Sequence, residues 1–126
     1  MNAYAAMKQY QTVNVNAQVT EADPHRLIQM LFEGGLQRIA QAKGAMQYGN
    51  VALKGELIGK SIGIVSGLRE SLDIKKGGEM AANLDNLYAF MIQRLSHANL
   101  KNDPAVLDEV ANLLREIKEG WDAIQA

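Results

Sequence analysis

Apolar residues recur at spacings of three and four in four separate stretches of the chain, and no stretch alternates with the period of two that a strand requires. The first runs from about Pro24 to Met46, with Leu27, Leu31, Gly35, Ile39, Ala42 and Met46 on one face. Asp23 before Pro24 reads as an N-cap followed by a proline at the first helical position, where a missing N–H costs nothing. Tyr48-Gly49-Asn50 is a turn, and Asn50 is a cap for the second stretch, about Val51 to Leu72. There Leu53, Leu57, Ile64, Leu68 and Leu72 form the core stripe. Lys75-Lys76-Gly77-Gly78 reads as a loop. A third helix follows over about Glu79 to Leu100, with Leu84, Leu87, Tyr88, Met91 and Leu95 on one face. Asn102-Asp103-Pro104 repeats the cap-then-proline start, and the fourth helix, about Pro104 to Ile124, is expected to bury Val106, Val110, Leu113, Ile117, Trp121 and Ile124.

Connections this short make consecutive helices antiparallel neighbours. The expected fold is therefore all-α: an antiparallel up-down-up-down four-helix bundle over residues 23–126, with a mobile N-terminal arm over 1–22, together a single domain. Tyr4, Met7, Tyr10 and Val13 recur every three residues in the arm, an amphipathic pattern able to dock on the bundle and leave it.

Composition narrows the function more than the fold. The chain has 126 residues, 48% of them hydrophobic, enough for a core without staples. Thirteen Lys and Arg against 14 Asp and Glu leave a net charge of −1, which offers no electrostatic pull toward nucleic acid or anionic membrane. There is no cysteine, so thiol catalysis, thiolate metal sites and disulfides are excluded. No run approaches the ~18 apolar residues of a membrane span. The first 22 residues hold one Lys and no apolar signal core, so a cytoplasmic location is expected.

Chemical motifs are decoys on this reading. Gly59-Lys60-Ser61-Ile62-Gly63 has the form of a hydrolase nucleophile elbow, but that device needs a strand before the serine and a histidine and acid beside it. Gly55-x-x-x-Gly59-Lys60-Ser61 is one residue short of a phosphate loop and has no strand before it. Neither His25 nor His97 has a glutamate three residues before it, which excludes the di-metal centre that bundles often carry. No enzyme, metal or cofactor is expected.

Two features ask for a surface explanation. Gly55, Gly59, Gly63 and Gly67 recur every four residues, each costing about 0.8–1 kcal/mol against alanine in a helix interior. With Leu57 at zero they fall between roughly 160° and 280°, opposite the core stripe, and a second apolar row of Ile58, Ile62 and Val65 lies between at roughly 80–140°. An apolar row beside a side-chain-free ridge makes a trough for a segment of another chain. The alternative is that the isoleucines are covered by the first or third helix and the glycines are tolerated surface residues. Phe90 also lies off its helix's core stripe, among Asn83, Asn86 and His97, and joins the candidate surface.

The chain resembles the flagellar export chaperone family FliS over nearly its whole length. The pieces are Pro24-His25-Arg26-Leu27-Ile28-Gln29-Met30-Leu31-Phe32-Glu33-Gly34, Lys54-Gly55-Glu56, Gly77-Gly78-Glu79, Asn83-Leu84, Leu87-Tyr88-Ala89-Phe90-Met91, Ala98-Asn99-Leu100, and Leu113-Leu114 with Trp121. Their order and spacing along one short chain are specific. The resemblance implies a cytoplasmic chaperone that binds the disordered C-terminal region of flagellin one to one, prevents premature polymerisation and presents it to the type III export gate. It also implies that the arm can cover part of the binding surface, with Met7 and Tyr10 at the family's apolar arm positions. The competing class is a non-catalytic bundle adaptor for folded flagellar or regulatory partners, which predicts rigid aromatic hot spots rather than a long trough.

Overall fold

The computed structural model describes residues 23–124. Four helices follow one another: α1 (Pro24–Gln47), α2 (Val51–Glu70), α3 (Ile74–Lys101) and α4 (Pro104–Ala123). Each start is capped from its own sequence. Asp23 accepts from the Arg26 N–H, Asn50 from Leu53, Asp73 from Lys76 and Asp103 from Ala105. These side chains satisfy amides that a helix start leaves without a partner.

The packing is a closed ring, α1 on α2, α2 on α3, α3 on α4 and α4 back on α1. Its core is built from Leu31, Phe32, Ile39, Leu68, Met91, Leu95, Leu107, Val110 and Leu114, each at most 2% exposed. The expected four-helix bundle is thus the observed architecture. The arm, with Met7 and Tyr10, lies outside the described residues.

Three local expectations change. The stretch read as a loop at Lys75-Lys76-Gly77-Gly78 is a helical turn beginning at Ile74, followed by a break at Gly78, whose φ of 58° and ψ of −135° suit only glycine. Glu79 stands just after this break. A side chain at Gly77 would bring its Cβ to 2.5 Å from the Ala81 Cβ, so both glycines of the pair are needed to turn the corner into α3.

The buried face of α2 is also rotated. Leu53, expected in the core, is 41% exposed, whereas Lys54, Leu57, Ile58, Ser61, Val65 and Leu68 are all buried. On the 100° wheel these centre at roughly 50°, about 40° from the leucine-based stripe. The reason is that α2 meets two neighbours. Ile64 reaches toward Gly35 of α1, and Arg69 and Lys54 reach α3, so the arc between them is enclosed.

Finally, Trp121 is half-buried rather than core, and Ile124 is 55% exposed. His25, in the first turn of α1, stacks on the Trp121 ring with centroids 4.9 Å apart.

Candidate functional site

The expected trough divides in the structure. Ile58 and Val65 are 1% and 0% exposed, inside the core cluster, so the free bundle does not present them. Ile62, at the edge of the same row, is half-buried and packs against the core from outside. The expectation of a wet three-residue apolar row is corrected to one accessible member, because the row lies on the side of α2 that α3 covers.

The glycine ladder behaves differently. A Cβ at Gly55, Gly59 or Gly63 would meet nothing within 4 Å. Gly59 is exposed, Gly55 and Gly63 are half-buried, and Gly67 is buried. Since each fourth residue advances about 40° around a helix, the ladder crosses α2 diagonally, from its α3 edge at Gly55 to its α1 edge at Gly67. Steric crowding within the free bundle therefore does not account for glycine at the first three positions.

Beside this face lies the outer face of α3. Asn83, Asn86, Phe90, Gln93 and His97 follow at helical spacing and all are exposed, with Phe90 at 42%. None carries a carboxylate, ammonium or guanidinium. The charges stand at the margins. Arg69 of α2 pairs with Asp85 at 2.6 Å on one side, and Arg94 of α3 with Glu109 of α4 at 2.7 Å on the other. Hydrogen bonding from Arg69 holds the Asp85 carboxyl below the usual carboxylate range, and the same bond raises the Arg69 guanidinium. Glu56 and Lys60 neutralise one another beside the ladder at 3.3 Å. The open glycines of α2 and the row around Phe90 on α3 form an outer face in which Glu56, paired with Lys60, and Glu70 stand among the glycines, and the Arg69–Asp85 pair runs between the two helices. Such a face suits apolar contact and close backbone approach rather than chemistry.

The decoy motif is closed in the structure. Ser61 is fully buried within α2 and its hydroxyl donates to the Leu57 carbonyl at 2.9 Å, so it is a helix-interior filler with no role as a nucleophile. Among the described residues no group of three or more His, Asp or Glu converges as a metal site. None of the helices there is long and apolar enough to cross a membrane.

Lys54 was missed as a positioning residue. It is 7% exposed, and its ammonium donates to the Asn99 carbonyl at 3.0 Å and to Asn102 Oδ1 at 3.3 Å. A cation on the last carbonyls of α3 complements that helix's negative end, and it fixes the register of α3 against α2. The available signal was a lysine on the apolar side of the wheel, at roughly 60° from Leu57.

The open glycines of α2 and the exposed row around Phe90 give the bundle an outer face with room for another chain. Comparison with known proteins gives the class, that of flagellar secretion chaperones, which are not enzymes. The family profile described as "Flagellar protein FliS" matches residues 6–126. The chain is 60% identical over 124 residues to the flagellar secretion chaperone FliSB of Pseudomonas aeruginosa, covering 98% of each. It is 45% identical over 119 residues to the flagellar secretion chaperone FliS of Vibrio cholerae, covering 94% of this chain and 88% of that one. Identity to the Salmonella typhimurium FliS is 43% over 125 residues, covering 98% and 93%. The chain belongs to the FliS family.

Proposed function

We propose that this protein is a cytoplasmic export chaperone that binds the disordered C-terminal region of flagellin one to one. By occupying that region it prevents premature polymerisation, and it delivers the subunit to the flagellar type III export gate. The observation that supports this reading is the family membership across nearly the whole chain, to which the outer face of α2 and α3, with its open glycines and exposed Phe90, adds a physical seat. An unfolded segment that orders on a bundle offsets its lost chain entropy by burying apolar area, and a long shallow face provides more of it than a compact pocket.

The proposed seat comprises Ile62, Gly55, Gly59, Gly63 and Phe90, with Met7 and Tyr10 of the arm as competing or additional contacts. Ile58 and Val65 act beneath it as support. Calorimetric titration of the full chain with a flagellin C-terminal peptide should give a 1:1 complex. Gly63→Leu fills open space and so leaves the fold intact, and it should weaken that complex about tenfold or more, equivalent to about 1.4 kcal/mol. Absence of binding by the unmodified protein overturns the flagellin reading and favours the adaptor class. Unchanged affinity in both Gly63→Leu and Phe90→Ala moves the seat elsewhere on the bundle.

A further inference from the structure

We propose that the last turn of α4, residues 120–124, is a releasable strap, latched by His25 of α1 over the apolar edge between α1 and α4. Four contacts between α1 and α4 place a latch there. His25 Nε2 lies 2.9 Å from the Trp121 carbonyl oxygen, which can only accept, so Nε2 carries the proton. In return the Trp121 indole N–H donates to the His25 carbonyl at 3.0 Å. The two rings stack with their planes 12° apart. Gln29, one turn further along α1, donates to Asp122 Oδ1 at 2.9 Å, and Lys118 also pairs with Asp122.

The strap has little to hold it from its own sequence. Other helices end on dedicated devices. The turn after α1 has Gly49 at a φ of 74°, and α3 ends on left-handed Asn102, tied by Lys54. By contrast, α4 runs out into an extended Ile124, whose N–H donates to the Trp121 carbonyl at 3.1 Å, with neither a left-handed residue nor a basic side chain in the last turn to close the end. Gly120 weakens the same turn, although a Cβ there would meet nothing within 4 Å. Opposite it, the start of α1 is secured independently by Asp23, which accepts from the Arg26 N–H at 2.7 Å, and by Pro24 at the first position. Breaking the latch therefore releases α4 and leaves α1 in place.

Beneath the strap, Ile28 and Ile117 are half-buried and pack on the core with Trp121. Opening uncovers this edge, away from the outer faces of α2 and α3. Local opening of a turn held by a few contacts needs far less free energy than unfolding the bundle.

Trp121 is the only tryptophan, so its emission reports the strap directly. In the full chain, His25→Ala should shift that emission to longer wavelength and speed amide exchange of residues 121–124 by about tenfold or more. Exchange in residues 58–65 and 91–98 should not change. Gly120→Ala should slow exchange in residues 121–124 with His25 intact. Uniform acceleration across all four helices in His25→Ala makes the pair a keystone of the whole fold and overturns the strap. An unchanged terminal turn in either variant overturns it equally.

Discussion

The arc of α2 that meets α1 and α3 carries Leu57, Ile58, Val65 and Leu68 at 7% exposure or less, whereas the opposite arc carries Gly55, Gly59 and Gly63 with open space beyond each. One helix thus concentrates its stabilising contacts on one side and forgoes even ordinary helix propensity on the other. Three such glycines cost roughly 2.5–3 kcal/mol against alanine. The inner arc offsets that cost, since one buried aliphatic side chain contributes about 1.5–3 kcal/mol. The difference teaches that the outer arc is shaped for something other than stability. A face selected only for the fold would have acquired side chains where there is room for them.

The largest expected effect breaks the inner arc. Ile58→Asp places a carboxylate in a fully enclosed site and should cost about 4 kcal/mol or more, a large share of a small domain's stability. Circular dichroism and thermal melting should show loss of the cooperative fold. A stable, fully helical variant would mean that Ile58 belongs to the outer face after all.

Lys54→Ala tests the polar member of the inner arc. Removing the ammonium from the Asn99 carbonyl and Asn102 should cost about 1–3 kcal/mol in chemical denaturation. Lys54→Met keeps the apolar stem, so the difference between the two variants separates the charge from the packing. Equal stability of Lys54→Met and the parent would show that the α3 end does not depend on the cation.

Gly59→Ala probes the outer arc in the opposite direction. It should stabilise by about 1 kcal/mol and raise Tm by about 4 °C. The contrast with Gly35→Ala sharpens the point. A Cβ at Gly35 would stand 3.3 Å from Ile64 Cγ2 and 3.4 Å from Leu114 Cδ2, so its gain should be smaller or reversed. Equal gains at both positions would dissolve the distinction between an enclosed and an open glycine.

The smallest effect lies in the ion pair where α2 meets α3. Asp85 is held below the ordinary carboxylate value by Arg69, so it favours the folded state once ionised in both states, above about pH 4. That contribution disappears as pH falls through the lower folded value. Asp85→Asn should flatten the acid limb of the stability curve. At the alkaline side burial pushes the Tyr88 phenol up, so its contribution is present below about pH 10 and fades above it. Denaturation midpoints measured across both limits check the two signs, and an acid limb identical in Asp85→Asn would remove the pair from the account.

Much of this is legible in the sequence alone. The four helices, their caps at Asp23, Asn50 and Asp103, and the exposure of Phe90 follow from spacing and cap chemistry, because both act within a few residues. Gly55, Gly59 and Gly63 were legible as an outward-facing feature for the same reason, whereas Gly67, read with them, is buried at the α1 edge. The helical turn at Ile74 was not, since a pair of glycines reads as a loop until Asp73 is seen to cap it. Nor was the burial of Ile58 and Val65, because a wheel drawn on one helix contains no information about where its neighbours stand.

By itself, then, the sequence determined the helix count, the alternation of direction, the apolar faces and the membership of the FliS family. These depend on short-range periodicity, on capping and on the order of motifs along one chain. Tertiary structure decided which arc of α2 is enclosed, that Lys54 closes the end of α3, and that His25 meets Trp121 across 96 positions of sequence. Those depend on the angle and depth at which helices pack, which the combined volumes of side chains from different segments set only once the ring of four helices has closed.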